Sequence, residues 1–371
     1  MIKMPVEAPV TQWLFHKASM AGVPLSGTFE VSPLCNMDCK MCYVRLSRQQ
    51  QEAIRPLATV EQWLALAQRL KDAGMLYLLI TGGEPFAYPG IRTLLEGLHK
   101  MGLLVSVNSN GTCIDEETVQ WLKTVPPVRI NLTLYGASDE TYARLCQNPH
   151  GFTQATRAVK LLRQAGIGLR INCSITPQNA HDLERIVAYT KENNLLFQPT
   201  AYMFPPVRKD PSMVGQNDRF TPEQAAYYTA YAEYLQYGKE QFFLRPDNAA
   251  LPPEPEEHCL EVGEGIRCRA GKCSFWITWE GKLLPCGMFP TEGAPNVFQT
   301  DFSAAWEQLK AQTAAIRLPN RCARCQLKES CRSCAAMVVT ESGCFEKAPQ
   351  YRCDMMAAYA GQRRRIKEEM Q

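Results

Sequence analysis

Short apolar runs alternate with amphipathic stretches from Thr28 to about Ala201. The apolar runs are rich in β-branched residues, so the alternation predicts a parallel sheet of the α/β class whose strands are separated by helices. The predicted strands are 28–32, 76–80, 103–108, 128–134, 168–175 and 196–201, and the predicted helices are 60–73, 90–101, 116–123, 152–165 and 180–194. Six strands are too few for a closed barrel of eight.

The composition changes after the last of these strands, between Met203 and Glu257. Proline clusters open and close this stretch, and one tyrosine-rich helix is predicted at 222–237. Its tyrosines recur near helical spacing, which favours packing over a binding surface. We expect four parts: an N-terminal extension at 1–24, a partial barrel at 25–205, a bridging helical segment at 206–257 and a cysteine-rich domain at 258–371.

Composition and charge exclude several classes of protein. The 371 residues include 40 basic and 37 acidic ones without a large basic field, so no nucleic-acid partner is expected. The run Arg363-Arg364-Arg365 is interpreted as a solvated helix face. No apolar run reaches the roughly eighteen residues of a membrane helix, and the N-terminus lacks the apolar core of a secretory signal. We therefore expect a cytoplasmic protein with no membrane partner.

Three of the 16 cysteines, Cys35, Cys39 and Cys42, lie in one loop directly after the first predicted strand, at C-x3-C-x2-C spacing. In a reducing cytosol, cysteines at such spacing are typical of metal ligands. Three thiolates on one loop can hold three corners of an iron–sulfur cubane and leave the fourth iron open. Structural zinc is the rival, but it takes four ligands, and no further Cys or His follows until His99. Three unrelated buried thiols are the remaining alternative.

A second candidate site is the turn Thr81-Gly82-Gly83-Glu84-Pro85, which follows the second predicted strand. Ligands of such barrels bind at the C-terminal ends of the strands, so we expect this turn to lie beside the cysteine loop. Two glycines would let the backbone approach a ligand, and one carboxylate could accept a hydrogen bond from an ammonium group. A plain turn without a ligand is the alternative.

A second cysteine-rich region spans 259–353. Its first part has the pattern C-x12-G-x4-C from Cys268 to Cys286, across a predicted strand at 275–279. Its second part has the pattern C-x2-C-x5-C-x2-C, at Cys322, Cys325, Cys331 and Cys334. Two such C-x2-C steps could hold one zinc ion. However, the region offers nine or more thiols, far beyond the four ligands of one zinc ion.

Together, the C-x3-C-x2-C loop, the Gly-Gly-Glu turn and the second cysteine region resemble a radical S-adenosylmethionine (SAM) enzyme with a C-terminal SPASM domain. The resemblance covers about residues 25–205 and 258–355. It implies a partial (β/α)6 TIM barrel followed by a domain that holds auxiliary iron–sulfur clusters. One departure is Met41, because the family usually has an aromatic residue before the last cysteine of the loop.

The resemblance implies roles for residues at the strand ends. A [4Fe–4S] cluster whose open iron is chelated by SAM would be held by Cys35, Cys39 and Cys42. Glu84 would bind the amino group of SAM. The other implied SAM contacts are Gly82, Gly83, Ser109, Thr133, Arg144 and Thr176. Two of them have a plain alternative: Arg144 as an exposed helical arginine, and Thr176 or Asn179 as the N-cap of the next helix.

Two auxiliary [4Fe–4S] clusters are implied in the C-terminal domain, which makes three clusters in all. The outer cluster would be held by Cys322, Cys325, Cys331 and Cys353. Three corners of the inner cluster would be held by Cys268, Cys286 and Cys334. Its fourth ligand is open between Cys259 and Cys273. Cys259 is favoured, because Cys273 falls where the family's Cys-x-Ala-Gly turn usually continues with a small polar residue.

The implied activity is reductive cleavage of SAM to a 5′-deoxyadenosyl radical, which takes hydrogen from a peptide or protein side chain and gives an oxidative modification or cross-link. The expected partners are the peptide substrate and an electron donor such as flavodoxin or ferredoxin. Since only 34 residues precede Cys35, a leader peptide would be bound by a separate leader-binding protein or by the barrel.

Three alternative functions remain. They are oxidation of a small molecule, formylglycine formation of the sulfatase-maturase type, and a non-catalytic iron–sulfur or zinc protein. Gly287 disfavours formylglycine formation, because those maturases often carry Asp at this position. No general acid or base is assigned from the sequence.

Overall fold

One sheet contains strands from both the N-terminal and the C-terminal parts of the chain. The structure, a computed structural model, describes residues 8–206, 218–247, 265–328, 330–331 and 333–371. In this part of the chain the strands are β1 (Ser26–Glu30), β2 (Tyr77–Thr81), β3 (Leu104–Ser109), β4 (Arg129–Thr133), β5 (Leu169–Ser174), β6 (Leu196–Thr200), β7 (Ser274–Ile277) and β8 (Leu283–Leu284). Their order in the sheet is β6-β5-β4-β3-β2-β1-β7-β8, and every neighbouring pair is parallel except β7 with β8.

The described residues form fourteen α-helices, of which those between the barrel strands pack on the outer side of the sheet and bury its apolar side chains. The helices are α1 (Pro9–Ala21), α2 (Arg48–Ile54), α3 (Val60–Asp72), α4 (Ile91–Lys100), α5 (Glu116–Leu122), α6 (Asp139–Cys146), α7 (Gly151–Gln164), α8 (Leu183–Glu192), α9 (Pro222–Tyr237), α10 (Lys239–Leu244), α11 (Phe302–Ala315), α12 (Asn320–Ala323), α13 (Ala335–Ser342) and α14 (Gln350–Glu369). On β1, for example, Phe29 points outward and its ring lies 4.8 Å from that of Trp63 on α3. The predicted α/β fold with a partial barrel, formed by β1–β6, is thereby confirmed.

The tyrosine-rich helix α9 has the bounds that the sequence predicts. A capping box of Thr221 and Gln224 begins it, and a proline occupies its first turn, which is where proline is tolerated. The rings of Tyr227, Tyr231 and Tyr234 stack in series along the helix. Their predicted role in packing is confirmed.

Helix α1, which the sequence analysis did not predict, covers the N-terminal end of the barrel. Phe15 stacks on Tyr77, the first residue of β2, at 5.3 Å between ring centroids. Ser19 forms a 3.0 Å hydrogen bond with the thiol of Cys273, directly before β7. The guanidinium of Arg269 lies over the Phe15 ring at 3.6 Å. The barrel is therefore closed at the end opposite to the cysteine loop.

The C-terminal region contributes to both the sheet and the helical layer. Strand β7 pairs in parallel with β1, from Ser26 opposite Ser274 to Phe29 opposite Ile277. Helix α14 packs along α9, which in turn contacts β6 at the other end of the sheet. The proposed division of the chain into four parts stays a prediction. Among the described residues, every helix is too short or too polar to span a bilayer.

The interpretation of Arg363-Arg364-Arg365 as a solvated helix face is wrong for Arg363. Arg364 and Arg365 are exposed on α14, but the Arg363 side chain is fully buried. It can be buried because its charge is matched by Glu233 on α9, at 2.6 Å. A charged residue can occupy a core position when it is paired in this way.

Candidate active site

The cysteine loop is fastened to the end of α6. Asp38 N donates to Cys146 O at 3.0 Å, and Lys40 N donates to Leu145 O at 3.1 Å. Met37 and Met41 are buried in the main hydrophobic core, so the apolar residues between the cysteines anchor the loop from below. Met41 is an apolar, buried side chain, and it can therefore fill the position where the family usually has an aromatic residue. The loop thus holds its three thiols at the C-terminal end of β1.

The three loop thiols lie close enough to influence one another. Burial is the main cause that raises the pKa of the Cys35 thiol to about 12. The hydrogen bond from Met37 N opposes this shift, and the nearby Glu84, Cys39 and Cys42 add to it. A hydrogen bond with Cys146, followed by burial, raises the pKa of Cys39. Neutral thiols are therefore favoured in the bare protein, whereas a bound metal deprotonates its thiol ligands. An iron–sulfur cluster would supply the positive charge that stabilises the three thiolates, so the donor set fits such a cluster.

Gly82 and Gly83 allow the turn after β2 to pass directly under the cysteine loop. A Cβ at Gly82, which has φ of +140°, would lie 2.3 Å from Ser32 O, and a Cβ at Gly83 would lie 2.1 Å from Leu34 O. The close approach forms hydrogen bonds from Gly83 N to Ser32 O and from Glu84 N to Leu34 O. The glycines therefore bring two backbone segments together, and this places Glu84 beside the loop.

Glu84 is completely buried, and three donors of the chain surround its carboxylate. Oε1 accepts from Ser109 Oγ at 2.8 Å and from Phe86 N at 3.0 Å, and Oε2 accepts from Asn110 N at 2.8 Å. Burial raises the pKa of Glu84 to about 7, against the lowering effect of these hydrogen bonds. Because a carboxylate offers about four acceptor positions, Oε2 can accept one more donor. A cation placed there would favour the charged form of Glu84.

Asn110, which was not among the predicted SAM contacts, links three parts of the site. Its backbone binds Glu84, and its Nδ2 donates to Asn36 Oδ1 at 2.9 Å and lies 3.7 Å from Cys35 Sγ. Asn36 Nδ2 in turn donates to Thr112 Oγ1 at 2.7 Å. The signal was present, because Asn110 precedes Gly111 directly after β3, where turn residues face the site.

The remaining candidate SAM contacts lie at the ends of β3, β4 and β5. The Ser109 hydroxyl donates its hydrogen bond to Glu84. Thr133 is the last residue of β4 and is half-buried. Thr176 is fully buried and hydrogen-bonds with Asn179. Asn179 Nδ2 donates to Tyr135 O and Ser174 O, both at 2.9 Å.

Thr176 and Asn179 had a helix N-cap as the alternative role, and Arg144 had an exposed position on a helix. Asn179 is the N-cap residue of a 3-10 turn, Ala180–Asp182, that leads directly into α8, but its side chain makes no capping hydrogen bond. The pair instead fixes the turn after β5 against the end of β4. Arg144 is exposed on α6, and its Nη2 donates to Gln178 O at 2.8 Å, at the rim of the same site.

Residues 29–190 match the radical SAM superfamily. This range includes the cysteine loop and the Gly-Gly-Glu turn described above. The chain carries a radical SAM domain. The predicted family and the expectation of an enzyme are confirmed, and the family implies SAM and a [4Fe–4S] cluster as cofactors.

Similarity to known proteins extends beyond this domain. The chain is 26% identical over 320 residues to the antilisterial bacteriocin subtilosin biosynthesis protein AlbA of Bacillus subtilis, over 84% of this chain and 67% of AlbA. It is 21% identical over 352 residues to the AdoMet-dependent heme synthase of Methanosarcina barkeri, over 90% of this chain and 97% of the synthase.

A solved structure shares the fold. Streptococcus suis SuiB bound to S-adenosylmethionine gives a TM-score of 0.66 at 20% identity, over 88% of this chain and 77% of SuiB. SuiB bound to its precursor peptide SuiA gives 0.65 at 18% identity, over 91% and 79%. The common fold therefore includes much of the region that follows the radical SAM domain.

Four cysteines of the C-terminal region line one cavity of about 210 Å³. They are Cys322, Cys325, Cys331 and Cys353, the set that the resemblance assigns to the outer auxiliary cluster. Water occupies about 30 Å³ per molecule in the liquid, so the cavity is larger than a single ion needs. Within the described residues, no three His, Cys, Asp or Glu side chains converge as ligands of one metal ion. The four thiols therefore share one cavity, and their role as cluster ligands stays a prediction.

Three other cysteines gather in a separate apolar cluster. Cys268, Cys286 and Cys334 pack against the buried residues around Ile266 and Phe289. Cys273 instead belongs to another buried cluster, against α1, with its thiol 3.8 Å from Phe15 O. Cys259, the other candidate for the fourth inner ligand, lies outside the described residues. The placement of Cys273 argues against its being that ligand.

Proposed function

We propose that this radical SAM enzyme modifies a peptide or protein side chain by oxidation or cross-linking. The observation that carries the proposal is the meeting of the three loop thiols with the buried Glu84 at the C-terminal end of the partial barrel. AlbA takes part in bacteriocin biosynthesis and SuiB binds a precursor peptide, which supports a peptide as the substrate. The cluster and SAM, when bound, would supply a 5′-deoxyadenosyl radical that takes hydrogen from the substrate.

In this proposal each residue of the site has a distinct task. Cys35, Cys39 and Cys42 hold the cluster, and Glu84 accepts a hydrogen bond from the SAM ammonium group at its remaining position. Ser109 orients Glu84, since its hydroxyl donates to the carboxylate. The backbone at Gly82 and Gly83 keeps the turn close to the loop. Further SAM contacts are proposed for Thr133, Arg144 and Thr176.

The C-terminal cysteines would hold two auxiliary clusters that accept an electron from the substrate. The outer ligands are Cys322, Cys325, Cys331 and Cys353, and the inner ones are Cys268, Cys286, Cys334 and Cys259. An electron donor such as flavodoxin or ferredoxin would reduce the barrel cluster, and a leader peptide would be bound by a separate protein or by the barrel.

Gly287, the residue that disfavours formylglycine formation by resemblance, is closely packed. A Cβ at Gly287 would lie 2.8 Å from the ring of Trp276. Trp276 lies on the inner face of the sheet, where its Nε1 donates to Glu30 at 3.1 Å. The Asp that sulfatase maturases often carry at this position would therefore displace a ring that is held by a buried carboxylate.

The test is the metal content and SAM cleavage of anaerobically purified protein. About twelve iron per chain, with 5′-deoxyadenosine formed from SAM and dithionite, would support the proposal. Replacing Cys35, Cys39 and Cys42 with alanine should remove about four iron and abolish cleavage. As a control, Cys173→Ala removes a buried thiol on the outer side of β5 and should keep the iron. Zinc in place of iron, with SAM intact, would contradict the proposal.

A further inference from the structure

The inner face of the partial barrel is polar. Closed eight-stranded barrels fill their interior with bulky branched side chains. Here the inward positions of β3–β6 carry amide side chains, at Asn108, Asn131, Asn172 and Gln198. Residues that alternate with them, such as Ile171 and Phe197, point outward and pack in the hydrophobic core. The interior is therefore suited to a polar ligand.

Two of the four amides are tied to each other. Asn131 Nδ2 donates to Asn108 Oδ1 at 2.8 Å, and Asn131 Oδ1 accepts from Arg129 Nε at 2.9 Å. This chain of hydrogen bonds links β3 to β4. Its members are satisfied within the protein, and their role is structural.

The side-chain oxygens of the other two amides have no such donor among the described residues. Asn172 on β5 and Gln198 on β6 are paired in register, so their side chains lie next to each other. Asn172 Oδ1 and Gln198 Oε1 are buried, and neither accepts a hydrogen bond from any residue that the structure describes. A buried acceptor without a donor costs stability, so such a group in a native protein calls for an explanation, such as a ligand, an ion or a water that supplies the donor.

The position of these two amides relates them to the SAM site. In the register of the sheet, Thr133 on β4 lies opposite Asn172, and Asn172 lies opposite Gln198. Adjacent strands are about 4.8 Å apart, so the backbones of Asn172 and Gln198 are about 5 and 10 Å from that of Thr133. A substrate held by them would lie next to SAM if Thr133 contacts SAM, as proposed above.

We propose that Asn172 and Gln198 bind the backbone of an extended substrate peptide that lies across β5 and β6. The inference rests on the proposed function. Each amide oxygen accepts a hydrogen bond, and a peptide backbone supplies one N–H donor for every residue except proline. A carboxylate-rich macrocycle would bring mainly acceptors and would leave both oxygens unpaired. Backbone recognition positions the peptide without selecting its side chains, so sequence selection depends on other contacts.

The first experiment compares stability. Asn172→Leu and Gln198→Met replace each amide with an apolar side chain of similar size. Because no hydrogen bond within the protein is lost at these oxygens, the urea midpoint of the reconstituted protein should stay the same or rise. Asn131→Leu breaks the hydrogen bonds to Asn108 and Arg129 and should lower the midpoint. If all three variants lower it equally, the two amides are structural and the inference is wrong.

The second experiment measures binding of N-acetyl-pentaglycine amide, which offers backbone groups and no side chains, to the reconstituted enzyme with SAM. Native protein should bind this probe in the millimolar range, and the double variant Asn172→Leu/Gln198→Met should bind at least about tenfold more weakly. Gln120→Leu, which removes an exposed amide on α5, should leave binding unchanged.

Equal binding by native and double-variant protein, or no binding by the native protein, would overturn the inference. So would coproporphyrin III binding that is lost in the double variant, because this would assign the amides to a macrocycle. Formation of 5′-deoxyadenosine by the native enzyme is read separately. The proposed function can therefore stand while this inference fails.

Discussion

Arg363 Nη1 donates to Glu233 Oε2 at 2.6 Å, and neither side chain reaches solvent to a significant extent. The same carboxylate oxygen accepts from the Tyr359 hydroxyl at 2.6 Å, and Arg363 Nη2 donates to Phe242 O at 2.9 Å. A buried ion pair is stable only when its desolvation is compensated in this way. The pair joins α9 to α14, so it fixes the C-terminal helix to the rest of the molecule.

Arg363→Met should lower the free energy of unfolding by about 1.5–3 kcal/mol, because it removes one charged partner of the buried Glu233 carboxylate, which keeps Arg245 and Tyr359. Urea unfolding of the reconstituted protein measures this. Arg364→Met, one residue along the same helix but exposed, should change stability by less than about 0.5 kcal/mol. Equal effects of the two substitutions would show that the ion pair does not support the helix.

Gly83→Ala should destabilise the protein by about 1–3 kcal/mol, because the added Cβ would meet the backbone oxygen of Leu34 at 2.1 Å. The matched control is Gly361→Ala on α14, where nothing lies within 4 Å of the added Cβ. That substitution should raise stability by about 0.5–1 kcal/mol, since alanine favours a helix. Both are measured by urea unfolding, and a neutral result for Gly83→Ala would mean that the two loops can separate.

Replacing Cys322, Cys325 and Cys331 with alanine should remove about four iron and leave SAM cleavage largely intact, because the barrel cluster does not depend on them. Turnover of the substrate should be lost. Iron analysis together with chromatography of 5′-deoxyadenosine checks both statements. Cys344→Ala is the control, because Cys344 does not line the 210 Å³ cavity and should keep all the iron. Full iron in the triple variant would refute the assignment.

Cys273→Ser should retain the full iron content, because the Cys273 thiol is turned towards α1 and serine can keep the hydrogen bond to Ser19. Cys286→Ser should lose iron, or change the electron paramagnetic resonance signal of the inner cluster. Iron analysis and spectroscopy of the two reduced proteins make the comparison. Iron loss in Cys273→Ser with retention in Cys286→Ser would reverse the two roles.

The parts of the fold that follow from local patterns were predicted well. The six strands of the partial barrel begin and end within two residues of the predicted bounds, and α9 matches its prediction, because alternation and capping are local signals. Helix α1 was missed because its apolar residues do not form one stripe. Trp13 and Met20 are exposed, while Phe15 is buried.

Orientation and long-range pairing were not predictable from one sequence. Nothing local distinguishes Arg363 from Arg364, because the partner that permits burial, Glu233, lies 130 positions away. The glycines after β2 were expected to approach a ligand, and the structure adds that they approach the backbone of the cysteine loop. The side to which Cys273 points depends on α1, more than 250 positions earlier in the chain.

Because β7 pairs with β1, β1 is an interior strand of the continuous sheet, and one of its two neighbours comes from the cysteine-rich region. Replacing the cysteine-rich region with that of a related enzyme would therefore also replace a strand of the barrel sheet. The incoming segment would have to supply a strand in register with Ser26–Phe29, or the exposed β1 edge would invite intermolecular pairing. Chimeras of this enzyme should accordingly be joined so that β1 and β7 derive from the same parent.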